Sequence, residues 1–277
     1  MNKARASTIL VACLLAAPAL ALDCDHTADR NASIEGPGIN EVVVIAGAGR
    51  LVIRGEEGRE SVNAQGLACA SSARLLEEIQ LESRREGDTV YIETVMPELD
   101  DHRLFGASSE ARLDLTIRVP SSVRIEARDS SGDMELSDVA SAKVEDSSGN
   151  LIVRNIAGDL EVTDSSGDLE ITSIAGRVEL RDSSGDVEIK DIAGDVLVTE
   201  DSSGDLEIKN VAGSVRVKED ASGDIEIADV ASDVTIDDDG SGSIRAVRVG
   251  GNFTVERDGS GSIRYDEVTG SVRLPED

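Results

Sequence analysis

Acids and hydroxyls at a fixed spacing are the side chains of this 277-residue sequence that could do chemistry. The string D-S-S-G-D-x-E-x, with small variations, starts at Asp129, Asp146, Asp164, Asp182, Asp201, Asp220, Asp239 and Asp258, once every 17 to 19 residues. Paired carboxylates could serve acid–base catalysis, serines could be nucleophiles, and a run of acids could hold cations. A nucleophilic serine needs a base, and the two histidines, His26 and His102, both precede the repeats. Gly240-Ser241-Gly242-Ser243 is therefore read as a repeat corner, not a nucleophile elbow. Gly47-Ala48-Gly49 follows an apolar run, but Val52 stands where a dinucleotide fingerprint has its third glycine. An enzyme acting on polysaccharide, the alternative from another class, would want long loops and aromatic platforms. The repeats contain no long loop, and aromatic residues make up 1% of the chain. No catalytic residue and no cofactor is expected.

Cations are the remaining chemistry. Calcium-binding nonapeptide coils share a nine-residue period but place Asp two residues after Gly. Here Asp168, Asp186 and Asp205 follow Gly directly, so specific calcium sites are not expected. Were metal to bind, the weak candidates are the first acids of the corners: Asp146, Asp164, Asp182, Asp201 and Asp220. Stacked coils would set these in a column about 4.8 Å apart. Each neighbouring pair repels by about 0.9 kcal/mol at water's dielectric and about 3.5 at an effective value of 20. A hydrogen bond from the corner amide two residues on returns about 1.5–3 kcal/mol. At an exposed edge these nearly balance, and cations are not required.

The spacing itself dictates the scaffold. A repeat of this size marks a solenoid, each copy one coil stacked on the last. Residues 164 to 181 split into DSSGDLEIT and SIAGRVELR, each a tight corner and a short alternating strand. Leu169, Ile171, Val178 and Leu180 point inward, while Asp168, Glu170, Arg177, Glu179 and Arg181 face water. The second corner reads N-I-A-G, S-I-A-G, D-I-A-G or N-V-A-G, and its Ile156, Ile174, Ile192 or Val211 plugs that edge. The second serine of the first corner, present from Ser131 to Ser260, reads as a hydroxyl ladder satisfying backbone groups. The expected fold is all-β: a single-domain parallel β-solenoid with coils of 17–19 residues and two short strands each.

The remainder divides three ways: a signal peptide over 1–21, irregular β coils with a cap over 22–120, and regular repeats over 121–277. Lys3 and Arg5, the apolar run Ile9 to Leu20 and the small-x-small end Ala19-Leu20-Ala21 make the secretory signal. Cys13 lies too early in that run for lipidation. Its removal leaves Cys24 and Cys69, which in an oxidising compartment read as one disulfide. Within 22–120, Val42–Ala46, Thr89–Thr94 and Leu113–Val119 alternate as strands, and Pro120-Ser121-Ser122 takes the place of a second corner. Ser72 to Glu82 fits helix or strand, and strand is favoured. One stretch breaks the pattern, and Asp100, Asp101, His102, Arg103 and Phe105 form a possible recognition loop on the rigid scaffold.

Formal net charge is −29, which excludes nucleic acid as a partner and leaves cations or a basic protein surface. No later apolar segment would span a membrane. The D-S-S-G-D-[LV]-E-I coils, with V-P-S-S-V-R-I ahead of them, resemble the bacterial putative-adhesin family of β-solenoid domains, a family of unknown function, from about Val42 to the C-terminus. The resemblance implies a β-solenoid outside the cytoplasm and brings no catalytic residue. Some members are associated with envelope stress, so a cation-responsive envelope-stress accessory is a further alternative. The expectation is a non-enzymatic protein of the periplasm or cell surface, presenting a rigid acidic surface to an unknown envelope partner.

Overall fold

The structure, a computed structural model, describes residues 24–98 and 109–276. It is an all-β solenoid, 62% strand and 2% helix, with about eight turns of roughly 19 residues. Residues 1–21, expected as a signal peptide, and the expected recognition loop at Asp100, Asp101, His102, Arg103 and Phe105 lie outside the described residues.

The regular coils follow from alternation. Strands β8 (Arg124–Ser131), β10 (Ser141–Asp146) and β12 (Leu160–Asp164) stack in parallel on one sheet, and β9 (Met134–Ser137), β11 (Leu151–Ile156) and β13 (Leu169–Ile174) stack on the other. Later coils continue the pattern, giving two twelve-stranded sheets. Register is in step: Leu169 lies on Val187, Ile171 on Ile189, Ile174 on Ile192. Every second side chain enters a narrow interior of Val, Ile and Leu, and Ile171, Val178, Leu180 and Ile189 are completely buried.

The second corner uses a backbone device that the apolar pattern conceals. Asn155, Ser173, Asp191 and Asn210, each just before the corner Ile or Val, have φ between +57° and +62°. This left-handed residue lets two successive side chains face outward before Ile156, Ile174, Ile192 and Val211 turn in. Asn and Asp suit that conformation because their short polar side chains bond locally. Arg248 and Glu267 hold the same position later on; Arg248 is braced by ion-paired contacts of 2.5 and 2.6 Å to Asp229 in the coil before.

The N-terminal coils are not stacked in chain order. β1 (His26–Glu35), β2 (Glu41–Ala48), β3 (Leu51–Glu56) and β4 (Ser61–Ala70) are followed by the helix α1 (Ala73–Glu78), then β5 (Gln80–Glu86), β6 (Thr89–Val95) and β7 (Ala111–Pro120). β2 pairs with both β6 and β8, and β3 with both β7 and β9. The coil β2–β3 is thus slotted between the β6–β7 coil and the first regular coil. β1, β4 and β5 add antiparallel strands beyond β7 and β6, closing that end of the solenoid.

The segment Ser72 to Glu82, expected as strand, divides instead. Ser72 Oγ accepts the Leu75 amide at 3.3 Å and starts a helix of six residues; a strand begins at Gln80. Arg30 closes the helix by donating to the carbonyls of Leu76 and Ile79 at 2.8 and 2.7 Å. Leu75 and Ile79 are buried beneath it with Ala68 and Leu113. Cys24 and Cys69 form a disulfide with Cα atoms 5.6 Å apart, tying the chain just before β1 to β4.

Replacing Ile171 by Asp should destabilise the protein by more than about 4 kcal/mol, since it buries an unpaired charge among aliphatics. Glu170→Gln loses only an exposed ion pair to Arg154 and should cost less than about 1 kcal/mol. Urea melts of the two variants decide; similar midpoints would contradict the in–out assignment.

Candidate functional site

The corner of the D-S-S-G-D motif is built from three ladders, and each is set by a different part of the motif. The serine ladder lies in the turn. Ser148 Oγ donates to the Ser130 carbonyl at 3.2 Å, Ser166 to Ser147 at 3.2 Å and Ser184 to Ser165 at 3.1 Å. Each hydroxyl satisfies a carbonyl of the coil before it. Glycine then makes the close approach: at Gly167, φ is +127°, and a Cβ there would strike the carbonyl of Gly149.

The second acid of the motif forms an exposed ladder. Asp133 Oδ1 accepts the Asn150 amide at 3.1 Å, Asn150 Oδ1 accepts that of Asp168 at 3.1 Å, and Asp186 accepts that of Asp205 at 3.0 Å. The carboxylates are pinned to the next coil's backbone yet remain open to solvent. Beside them Glu170, Glu188 and Glu207 line the same face, with Arg154, Lys190 and Lys209 in ion pairs to them. A shallow groove of about 490 Å³ runs along Asp168, Glu170, Asp186, Glu188, Asp205 and Glu207.

The first acid is where the expectation fails. Asp146, Asp164, Asp182, Asp201 and Asp220 do not sit at an exposed edge; they are 0–3% exposed, as are Asp129 and Asp239. Val178 and Leu180 point inward, and one more step of the same alternation turns Asp182 inward as well. Corner amides reach them only in part: the amides two residues on, at Ser148, Ser166, Ser184, Ser203 and Ser222, favour the charged forms of Asp146, Asp164, Asp182, Asp201 and Asp220 but do not offset burial. Asp164 Oδ1 accepts the amide of Ser165, the very next residue, at 2.9 Å. Neither carboxyl oxygen of Asp129, Asp146, Asp182, Asp201, Asp220 and Asp239 has a well-formed hydrogen bond, the corner amides approaching at poor geometry. Backbone register stacks Asp129 on Asp146 on Asp164, and Asp201 on Asp220 on Asp239 on Asp258; Asp182, beside a shift in register, lies between the two runs and acts on Asp164 while Asp201 acts on it.

Burial, then the neighbouring carboxylate, push these acids up from the ordinary value of 3.8. Asp146, Asp164, Asp182 and Asp239 rise to about 6, and Asp129 and Asp220 to about 7. Asp201 also rises to about 6, mainly by burial, with the Ser203 amide opposing. Among the described residues no three His, Cys, Asp or Glu side chains are grouped to hold a metal ion. The geometry joins the five weak metal candidates into one continuous column but does not converge them on a point. The two cysteines are elsewhere, in the cap.

These coils define a parallel β-solenoid with acid-lined corners. The family model of the Toastrack DUF4097 domain matches residues 74–273, and the chain belongs to that family, whose function is unknown. No curated protein matches the chain. Solved structures similar to it include a putative adhesin from Bacteroides fragilis, 13% identical, with a TM-score of 0.43, covering 90% of this chain and 97% of that one. A putative cell adhesion protein from Clostridium sporogenes is 11% identical, with a TM-score of 0.38 and coverage of 91% and 100%. A putative lipid binding protein from Parabacteroides distasonis is 14% identical, with a TM-score of 0.33 and coverage of 88% and 96%.

Gly167→Ala should cost well over about 1 kcal/mol, because the φ is unfavourable and the carbonyl of Gly149 must move. Gly87→Ala, at φ +66° with open space around it, should cost only about 1 kcal/mol. Thermal melts compare them directly. Equal losses would show that corner glycines serve dihedral freedom alone and not the close approach of coils.

Proposed function

We propose that this chain is a non-enzymatic, extracytoplasmic β-solenoid that presents a rigid acidic surface for adhesion or binding at the cell envelope. The observation that carries this reading is the exposed ladder of Asp133, Asp168, Asp186, Asp205 and Asp224. Each carboxylate is held by a backbone amide of the next coil, so its position costs little entropy on binding. The ladder repeats with the coils, at about 4.8 Å, along the solenoid. A partner with a regular basic surface would meet carboxylates already in place. Formal charge of −29 adds long-range attraction for such a partner and repulsion from nucleic acid. The disulfide and the secretory pattern of the first 21 residues support a location outside the cytoplasm.

The non-enzymatic reading is supported by the composition of the acidic groove, where carboxylates stand beside Lys and Arg without a histidine. Its acids are repeated along a shallow face, with no pair set apart in a cleft.

Labelled protein should bind bacterial envelope preparations at low salt and release at high salt, when the Debye length falls to about 3 Å at 1 M. The triple variant Asp168→Asn, Asp186→Asn, Asp205→Asn is the sharp test. Asn keeps the Oδ1 acceptor, as Asn150 already does, and removes only charge. Binding should weaken roughly tenfold, equivalent to about 1.4 kcal/mol. Undiminished binding, or breakdown of envelope polysaccharide by the parent, would overturn the reading.

A further inference from the structure

The buried acids pose a problem that the outer surface does not solve. Seven carboxyl groups, Asp129, Asp146, Asp164, Asp182, Asp201, Asp220 and Asp239, lie in the interior, and six of them have no well-formed hydrogen bond on either oxygen. The groups that face them are named easily. Along the column there is only another Asp above and below, ending at half-buried Asp258 and, at the other end, at Ala46, which pairs with Asp129. Across the corner stand further acids: Asp133 near Asp146, Asp186 near Asp201, Asp205 near Asp220, and Asp224 and Asp238 near Asp239. The corner itself adds serine amides. The rest of the core is apolar, Val, Ile, Leu and Ala with Met134 and Phe253. None of the groups acting on the column is a cation.

An array of ionised carboxylates in that setting is untenable, because each lacks solvent and counter-ion, and all but Asp164 lack a well-formed hydrogen bond as well. Positive charge must enter the column. No convergent metal-ligand group exists among the described residues. A carboxyl that takes up a proton becomes both neutral and a donor, and the acceptor it needs is the next Asp one coil away.

We propose that the Asp129–Asp239 column is a proton-binding ladder, which makes the solenoid firmest in mildly acidic surroundings and loosens it as the pH rises. The shifted titrations agree in direction. Carboxyls at about 6 to 7 in the fold and near 3.8 when exposed mean that the folded state holds more protons. The resulting stabilisation is complete below about 3.8 and is lost as the pH rises through 6 to 7. Neighbours in contact share protons, so the column titrates as a unit over a broad range. This inference concerns the interior and does not depend on what the outer surface binds.

The test is the melting temperature of the purified, disulfide-bonded chain from pH 5 to pH 8 at constant ionic strength, a range in which ordinary Asp and Glu stay ionised. It should fall steadily with pH, and unfolding near pH 5 should release roughly six protons, nearly one for each of the column's acids, as the linkage relation requires. The inner variant Asp164→Asn, Asp182→Asn, Asp201→Asn should melt higher than the parent at pH 8, and its profile should be flatter. The outer variant Asp168→Asn, Asp186→Asn, Asp205→Asn should lose only the part of the slope that the Asp186 and Asp205 charges add at Asp201 and Asp220, and so stay closer to the parent than the inner variant does. Both variants retain His26 and His102, so the difference between them isolates the column from histidine titration. Should the inner variant fail to fold, infrared spectra of the parent decide: protonated carboxyl groups should be present at pH 5.5 and gone at pH 8. Parallel slopes for parent and inner variant, or no protonated carboxyl at pH 5.5, would overturn the proposal. So would a stabilisation by calcium at pH 8 that magnesium does not match and that the inner variant loses, which would place cations in the column.

Discussion

In-register stacking of parallel strands is the constraint on which everything else in this protein depends. A coil of eighteen or nineteen residues buries too few side chains to stand alone, so each must hydrogen-bond to, and pack on, its neighbours. Parallel pairing then places equivalent residues on top of one another, about 4.8 Å apart. That arrangement rewards Val on Leu and Ile on Ile, as at Val187 on Leu206 and Ile189 on Ile208. It also makes glycine necessary at the tight corner and gives the serine hydroxyls a carbonyl of the coil before to bond. The same rule gives no exemption to acids. Once Asp is written at one position of the repeat, stacking makes it a column.

The two acids of one motif meet opposite fates because of parity. Asp164 continues the inward series of Leu160 and Val162, while Asp168, past the turn and one residue before the next strand, faces outward. Four residues apart in sequence, one is in the core and the other in water. The outer carboxylate is held by the next coil's amide, whereas the inner one has no partner on the next coil but another Asp. The charge that the composition assigns to the surface is therefore divided, with part of it placed where it must be neutralised.

Much of this was legible in the sequence. The alternation of Leu169, Ile171, Val178 and Leu180 and the plugging role of Ile174 could be read from spacing, because a period of two has only two phases. The inward turn of the first Asp was equally present in the pattern, one step beyond Leu180. Residue type argues against it: Asp before Ser-Ser-Gly reads as turn chemistry, and its polarity points to water where its phase points inward. The left-handed residue before each corner Ile left a trace in the recurrence of Asn, Ser and Asp there. The slotting of β2–β3 between β6–β7 and β8–β9 left none, since it depends on strands brought together across more than forty residues. The helix at Ala73–Glu78 was hidden because Leu75 and Ile79 fit one period and Ile79 and Leu81 the other.

A buried acid in a repeat can be weighed against the residue that would serve the same place without a proton. Asn at the first corner position would offer an acceptor and two donors at any pH, and Asn150 and Asn252 show that the solenoid accommodates this side chain in its outer ladders. Asp at the inner position gains a donor only by binding a proton. With Asp in all eight first positions, the interior of the column has hydrogen-bonding capacity that depends on pH, whereas the outer ladders use amides of the backbone and do not. The fold thus separates a surface whose geometry is constant from a seam whose strength varies with conditions. Stability and surface presentation are linked through the same corner, because the turn that holds Asp168 outward begins at Asp164 within.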